Sequence, residues 1–305
     1  MQSIPRLQQP SWQQKLQWIT KPHKYMNSAV EQAPDMFVAD IAAGGGSYIF
    51  VNNPEGMRQM ITSDRAAFFA GSKDNQLLKP LVGSNSLFLI EGDRHKKRRK
   101  LLLPPFHGER MQSYARLICD LTRNIFDRLE PNKPFIAREV SQRISLQVIL
   151  EAVYGLQKDE RSLELQQRIT SLTNIFESAL TSALLFFPWL QKDLGAWSPW
   201  GNLVRQQKAI DEAIYQEIAT RRTQDNTERE DILSLMMSAR DETGEPLKDR
   251  ELRDELMTLM LAGHETTATA IAWSLYWVHR QPEIRTKLRA EIASLGENPD
   301  PMAIA

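Results

Sequence analysis

Residues 256–278 read Leu-Met-Thr-Leu-Met-Leu-Ala-Gly-His-Glu-Thr-Thr-Ala-Thr-Ala-Ile-Ala-Trp-Ser-Leu-Tyr-Trp-Val. The stretch predicts one long apolar helix with a polar knot, Gly263-His264-Glu265-Thr266-Thr267, at its centre. A carboxylate inside such a helix is costly unless a partner pairs with it or a reaction uses it. Glycine and threonine weaken a helix, and threonine hydroxyls compete for the carbonyls one turn back, so the ladder is expected to open locally here. A charge, two hydroxyls and a loosened backbone, buried together, point to a site that handles protons.

Rival readings of the knot fare worse. A His-Glu-any-any-His zinc helix needs a second histidine where Ala268 stands. The apolar run is long enough to cross a bilayer. Yet His264, Glu265 and three threonines sit near its midpoint and no basic flank orients it, which excludes a span. A plain core helix with a tolerated polar cluster is the remaining rival.

Composition sets the wider frame. The 305 residues are 42% hydrophobic and 25% charged, which suits a globular chain with a substantial core. Lys+Arg and Asp+Glu both number 38, so no global field draws the chain to nucleic acid. The opening Met1-Gln2-Ser3-Ile4-Pro5-Arg6 lacks an apolar core, and one cysteine gives no disulfide framework. A cytoplasmic protein is the expectation.

Residues 36–52 read as two strands around a glycine turn, and Asn53-Pro54-Glu55 starts a short helix ending near Phe68-Phe69. Segment 111–129 spaces Met111, Tyr114, Leu117, Ile118, Leu121, Ile125 and Leu129 at helical steps. Segment 138–155 repeats the pattern up to a stop at Gly155. Polar loops are expected at 221–230 and 238–249, and the apolar, proline-broken stretch 180–200 reads as a loop tucked onto the core. The fold class is mainly α with a small β-sheet, in one domain over 1–305.

Six basic residues and His95 crowd into 94–100, in a helix expected over about 94–105. Such a run ordinarily suggests a nucleic-acid patch, but the balanced charge and the apolar Leu101-Leu102-Leu103-Pro104-Pro105-Phe106 argue against one.

Ala262-Gly263-His264-Glu265-Thr266-Thr267 fills every position of the Ala/Gly-Gly-any-Asp/Glu-Thr-Thr/Ser motif, and in this the chain resembles the cytochromes P-450, the haem-thiolate monooxygenases. Asp231-Ile232-Leu233-Ser234-Leu235-Met236-Met237 before the motif, and Gln281-Pro282-Glu283-Ile284 after it, follow that family's order. His95, Arg99 and Pro104-Pro105-Phe106 match its basic helix.

The resemblance implies the N-terminal two-thirds of a cytochrome P-450 fold, with an oxygen-binding helix over about 250–279 and a substrate lid over about 180–200. It implies haem b as cofactor, with His95 and Arg99 anchoring the propionates. Ala262 and Gly263 would let dioxygen approach the helix backbone, Thr266 would hydrogen-bond it, and Glu265 would relay protons. Phe88, Leu89 and Leu259 would line a channel for a hydrophobic substrate: a fatty acid, alkane or terpenoid. The remaining lysines and arginines of the basic helix would face solvent and dock an acidic electron donor such as a ferredoxin.

The family's iron is held by a cysteine thiolate on a loop that follows a Glu-any-any-Arg helix. The chain's one cysteine, Cys119, falls mid-helix and reads as structural. The metal ligand is therefore expected to be absent, the chain inactive alone, and apolar faces that include Trp273, Leu275 and Trp277 exposed. The alternative is a non-catalytic remnant, or half of a split enzyme that binds haem or lipid.

Overall fold

The computed structural model describes residues 3–42, 46–63, 73–108, 110–156, 160–176, 184, 190–195, 197–224, 229–296 and 299–304. The chain divides into two compact units, Met1–Leu81 with Phe88–Gly92 and Gln167–Glu212, and Val82–Leu87 with Asp93–Gln166 and Ala213–Ala305. Each unit draws on separated stretches, so no single cut in the chain would release either one.

The first unit opens with two helices that the sequence reading passed over, α1 (Ser11–Thr20) and α2 (Pro22–Gln32). Their signal was Pro10 and Pro22, which suit the start of a helix where no N–H is needed. The expected strands follow as β1 (Met36–Ala39) and β2 (Tyr48–Val51), antiparallel, with Met36 opposite Val51 and Phe37 opposite Phe50. Most of the glycine turn between them, residues 43–45, lies outside the described residues.

Phe37 stacks on Phe50 at 5.1 Å, over a core of Leu7, Tyr25, Ala29, Ala33 and Ile41. Tyr25 donates to Gln14 Oε1 at 2.9 Å, and burial pushes its phenol up to about 12. Asn53 caps α3 (Pro54–Thr62) by accepting from the Glu55 and Gly56 amides. That helix stops at Thr62, where Ser63 turns to extended backbone, short of the expected end near Phe68-Phe69, residues that lie outside those described. A 3₁₀ turn, Lys73–Leu78, leads into the short α4 (Lys79–Val82).

The second unit is helical. It contains α5 (Gly92–Leu102) from Asp93 onward, α6 (Arg110–Phe126) and α7 (Ala137–Val148), the last continuing into a π-helical turn at Ile149–Val153. The chain then turns at Gly155, where φ is +59°, and a Cβ there would come within 2.4 Å of the Asp231 carboxyl. The expected glycine stop therefore has two causes, the left-handed backbone and the neighbour. Helices α8 (Glu160–Phe176) and α9 (Pro199–Arg222) follow, α8 from Gln167 onward and α9 up to Glu212 belonging to the first unit. The second unit then has α10 (Ile232–Ser238), α11 (Asp249–Arg280), α12 (Pro282–Ser294) and α13 (Pro301–Ile304). The polar loop expected from 221 starts after Arg222, because α9 runs two residues into it.

Helix α7 packs between α6 and α11. Ile125, Val140 and Ile144 are buried there, with Phe126, Leu129, Val148 and Ile271 against them. Arg221, fully buried at the end of α9, ties this unit together. Its guanidinium donates to Glu217 at 2.6 Å, Asp231 at 2.5 Å and Ser234 Oγ at 2.9 Å, and also to the Tyr154 carbonyl. Asp231 in turn caps α10 by accepting from the Ser234 amide.

At a rise of about 1.5 Å per residue the 32-residue α11 is about 48 Å long. No helix among the described residues is long and apolar enough to cross a membrane.

Candidate active site on the long helix

The knot does not break α11: residues 249–280 are α-helical without interruption. The expected local opening is absent, and the hydroxyl of Thr266 and two of the knot's carbonyls are bonded without it. The Thr266 hydroxyl donates to the Ala262 carbonyl one turn back, as a threonine does within an intact helix. Ser145 on α7 reaches the next two carbonyls, donating to Gly263 at 3.1 Å and His264 at 2.9 Å.

Glu265 is also partnered from α7. It accepts from Arg138 Nη2 at 2.9 Å and from Gln142 Nε2 at 3.1 Å. Arg138, Gln142 and Ser145 lie one turn apart and form a polar stripe along α7 that meets the knot. Sequence reasoning missed this stripe, because residues 137–148 mix polar and apolar side chains and nothing among them marks which polar ones meet α11. His264 is buried, with Nε2 3.6 Å from Glu265.

The expectation of a jointly buried cluster needs correction. Thr266 and Thr267 are exposed, and Glu265 keeps about a third of its side chain accessible, at 35%. Only the His264 side of the knot faces the packed core. Ala262 and Gly263 are half-buried, and a Cβ on Gly263 would stand 3.1 Å from Ile149 Cδ1. The missing side chain at 263 thus lets α11 approach the π turn closely.

A second polar cluster surrounds the first half of α11. Arg98 of α5 is buried, paired to Glu255 at 3.2 Å and to Glu251. Glu255 also accepts from the Leu87 amide, and Asp254 from the amide and side chain of Asn85 at 2.9 and 2.8 Å. Thr258 donates to Ser86 at 2.7 Å. Gly83, at φ +82°, is the residue that lets Asp254 in, since a Cβ there would fall 2.0 Å from its carboxyl oxygen. Burial pushes Glu255 up to about 7, against the opposing pull of Arg98.

The basic helix is therefore two-sided. His95 is half-buried, Arg99 is exposed, and Lys96, Lys97 and Lys100 are exposed. Arg98 departs from the expected solvent face, because the helical turn directs it inward to two carboxylates. The Arg99 guanidinium has no hydrogen bond or ion pair among the described residues, whereas Arg98 beside it is fully used.

Phe88, partly exposed, and Leu89, buried, belong to the first unit, and Leu259, half-buried, to the second. Much of the expected lid, residues 180–183, 185–189 and 196, lies outside the described residues. Its end is already helix: Ser198 Oγ accepts from the Gly201 amide, and α9 starts at Pro199. Cys119 is half-buried on α6.

The family profile described as Cytochrome P450 matches residues 6–302. The chain belongs to the cytochrome P450 family. It is 29% identical over 285 residues to the putative cytochrome P450 135A1 of Mycobacterium tuberculosis, covering 93% of this chain and 62% of that protein. It is 37% identical over 218 residues to the putative cytochrome P450 137 of the same organism, covering 71% of this chain and 45% of the relative. The chain thus spans less than two-thirds of the length of these relatives. A structure described as retinoic acid bound cyanobacterial CYP120A1 superposes with a TM-score of 0.75 at 21% identity, over 92% of this chain and 61% of that one. That likeness establishes the cytochrome P450 fold.

Membership implies haem as the cofactor. The residues present fit part of it. Arg99 offers an uncommitted guanidinium suited to a carboxylate, and Thr266 presents its side chain on the open face of α11. The thiolate is not matched in the same way, since Cys119 stands half-buried within a helix that packs on α7.

Proposed function

We propose that the whole protein is a haem-dependent monooxygenase that hydroxylates a hydrophobic substrate, and that α11 with α7 forms its oxygen-activating wall. One observation carries this reading: the complete motif from Ala262 to Thr267 lies on an unbroken helix, with the Thr266 side chain on the exposed face and Glu265 clamped from behind by Arg138 and Gln142. Bound haem would supply the oxidising chemistry, placing one atom of dioxygen into a C–H bond and reducing the other to water.

Each residue then has a definable task. Arg99, with His95 one turn earlier, would hold the propionates. Thr266 holds a proton at Oγ1 that is committed to the Ala262 carbonyl, so delivery requires the hydroxyl to turn from that carbonyl toward the open face. Glu265 would take up and pass protons when its side chain leaves Arg138, and its partial exposure connects it to solvent. In this role the α7 stripe sets the resting position of the relay.

The apolar character of the stretch around Leu184 and of Phe88, Leu89 and Leu259 supports a fatty acid, alkane or terpenoid as substrate. The exposed Lys96, Lys97 and Lys100 support an acidic electron donor of the ferredoxin kind. One cysteine among 305 residues supports a cytoplasmic setting.

Two experiments test the reading. In the whole protein, Thr266→Ala should divert reducing equivalents from product to peroxide with substrate binding kept. Unchanged coupling of reductant to product removes Thr266 from the mechanism. For the 305-residue chain supplied with haem, the reduced, carbon-monoxide-bound spectrum should lack the red-shifted Soret band of thiolate ligation. The band's appearance, and its loss in Cys119→Ser, would make Cys119 the ligand.

A further inference from the structure

Away from the knot, the second unit contains a cavity of about 530 Å³ where the end of α9 meets α10 and the start of α6. Four arginines line it, Arg110, Arg221, Arg222 and Arg229, together with Ser234, Ser238 and a few apolar groups, and no carboxylate is among the lining residues described. We infer that this cavity is a binding site for a small phosphate-bearing anion, either the free ion or the phosphate end of an organic ester.

The four guanidinium groups are not equivalent. Arg221 is saturated by its buried partners and forms a fixed positive floor. Arg222 spends Nε and Nη2 on Asp249, at 2.8 and 2.5 Å. Arg110 and Arg229 differ, because neither guanidinium donates a hydrogen bond among the described residues. Arg110 has Glu230 3.3 Å away and Arg229 has Asp231 4.0 Å away, as loose ion pairs only. The Ser234 and Ser238 hydroxyls are already spent, on Asp231 Oδ2 at 3.0 Å and on the Leu235 carbonyl at 2.9 Å, so Arg110 and Arg229 are the donors an anion would meet.

Electrostatics favours occupation. The carboxylates that balance these arginines, Glu217, Glu230, Asp231 and Asp249, stand outside the lining, so an anion inside meets donors first. Planar guanidinium groups bind phosphate in bidentate fashion, and a partly enclosed site is screened less than a surface patch. One turn on from Arg110, the buried Tyr114 hydroxyl has no hydrogen-bond partner among the described residues, and it lies in the field of Arg110, Asp231 and Glu230. The volume exceeds the need of a bare phosphate and leaves room for an organic group.

The test is calorimetric titration of inorganic phosphate into the 305-residue chain at low ionic strength, with Arg110→Gln, Arg229→Gln, Arg229→Lys and, as a control on the exposed basic helix, Arg99→Gln. Saturable binding is expected, weakened at least about tenfold in each of the first two variants, largely kept in Arg229→Lys and unmoved in Arg99→Gln. A nucleoside monophosphate that binds more tightly than phosphate would assign the site to an ester, and equal affinity would assign it to the free ion. Absence of saturable binding, or equal weakening by Arg99→Gln and Arg229→Gln, overturns the site.

Discussion

Replacing Arg221 by methionine should cost the fold about 3–5 kcal/mol, the usual result of stranding the partners of a buried ion pair. The side chain is fully enclosed, and it satisfies Asp231, the Tyr154 carbonyl and Ser234 while reaching Glu217. Methionine fills much of the space but donates nothing, so Asp231 and the carbonyl lose their partner in a low-dielectric site. The adjacent Arg222 makes the contrast. Its pair with Asp249 is solvent-exposed, and Arg222→Met should cost no more than about 1 kcal/mol. Urea unfolding of both variants measures the difference, and equal midpoints would show that the Arg221 network contributes no more than a surface pair.

The second large effect is expected at Arg98, and it should depend on pH. Arg98→Met leaves Glu251 and Glu255 without their guanidinium, at a cost of about 3–5 kcal/mol where Glu255 is ionised. Glu255 in the intact chain is raised from an ordinary 4.5 to about 7 by burial. Between those values the folded chain holds a proton that the unfolded chain has released. Its contribution is therefore fully present below about 4.5 and is lost as pH rises to about 7, on the order of 3 kcal/mol across the window. Glu255→Gln should flatten that slope. Arg98→Met should be tolerated better at pH 5 than at pH 8, because a protonated Glu255 needs no counter-charge. Stability measured at several pH values decides it, and an identical cost for Arg98→Met at both pH values would refute the coupling.

Much of this arrangement could be read from the residues. The helix through 256–278, the hairpin near the start, the basic helix and the stop at Gly155 all carry local signals that the structure repeats. The polar partners were hidden for a physical reason. Arg98 is one of six basic residues in a short run, and nothing in composition marks which of them turns inward. Arg138, Gln142 and Ser145 resemble any solvated helix face until α11 is laid against them. Burial along α11 also runs opposite to hydropathy. In its first half residues 252–258 are all buried despite Asp254 and Glu255, because α5 and residues 83–87 of the loop before it supply partners for these and for Glu251. Its second half is largely exposed despite two tryptophans and a tyrosine, as anticipated for Trp273 and Trp277, while Leu275, expected exposed with them, is half-buried. Hydropathy alone ranks those halves the other way.

That exposed half gives the chain an optical reporter. Trp273 and Trp277 are 56% and 48% exposed, flank Tyr276 at edge-to-face distance, and lie on the same helix as Thr266. Trp12 and Trp197 are more exposed still, at 67% and 78%, so these four indoles emit as indoles in water, beside the half-buried Trp18 and Trp200. Whatever covers the far end of α11 will shift that emission to the blue, and substituting Trp273 and Trp277 singly tells which indole has been covered.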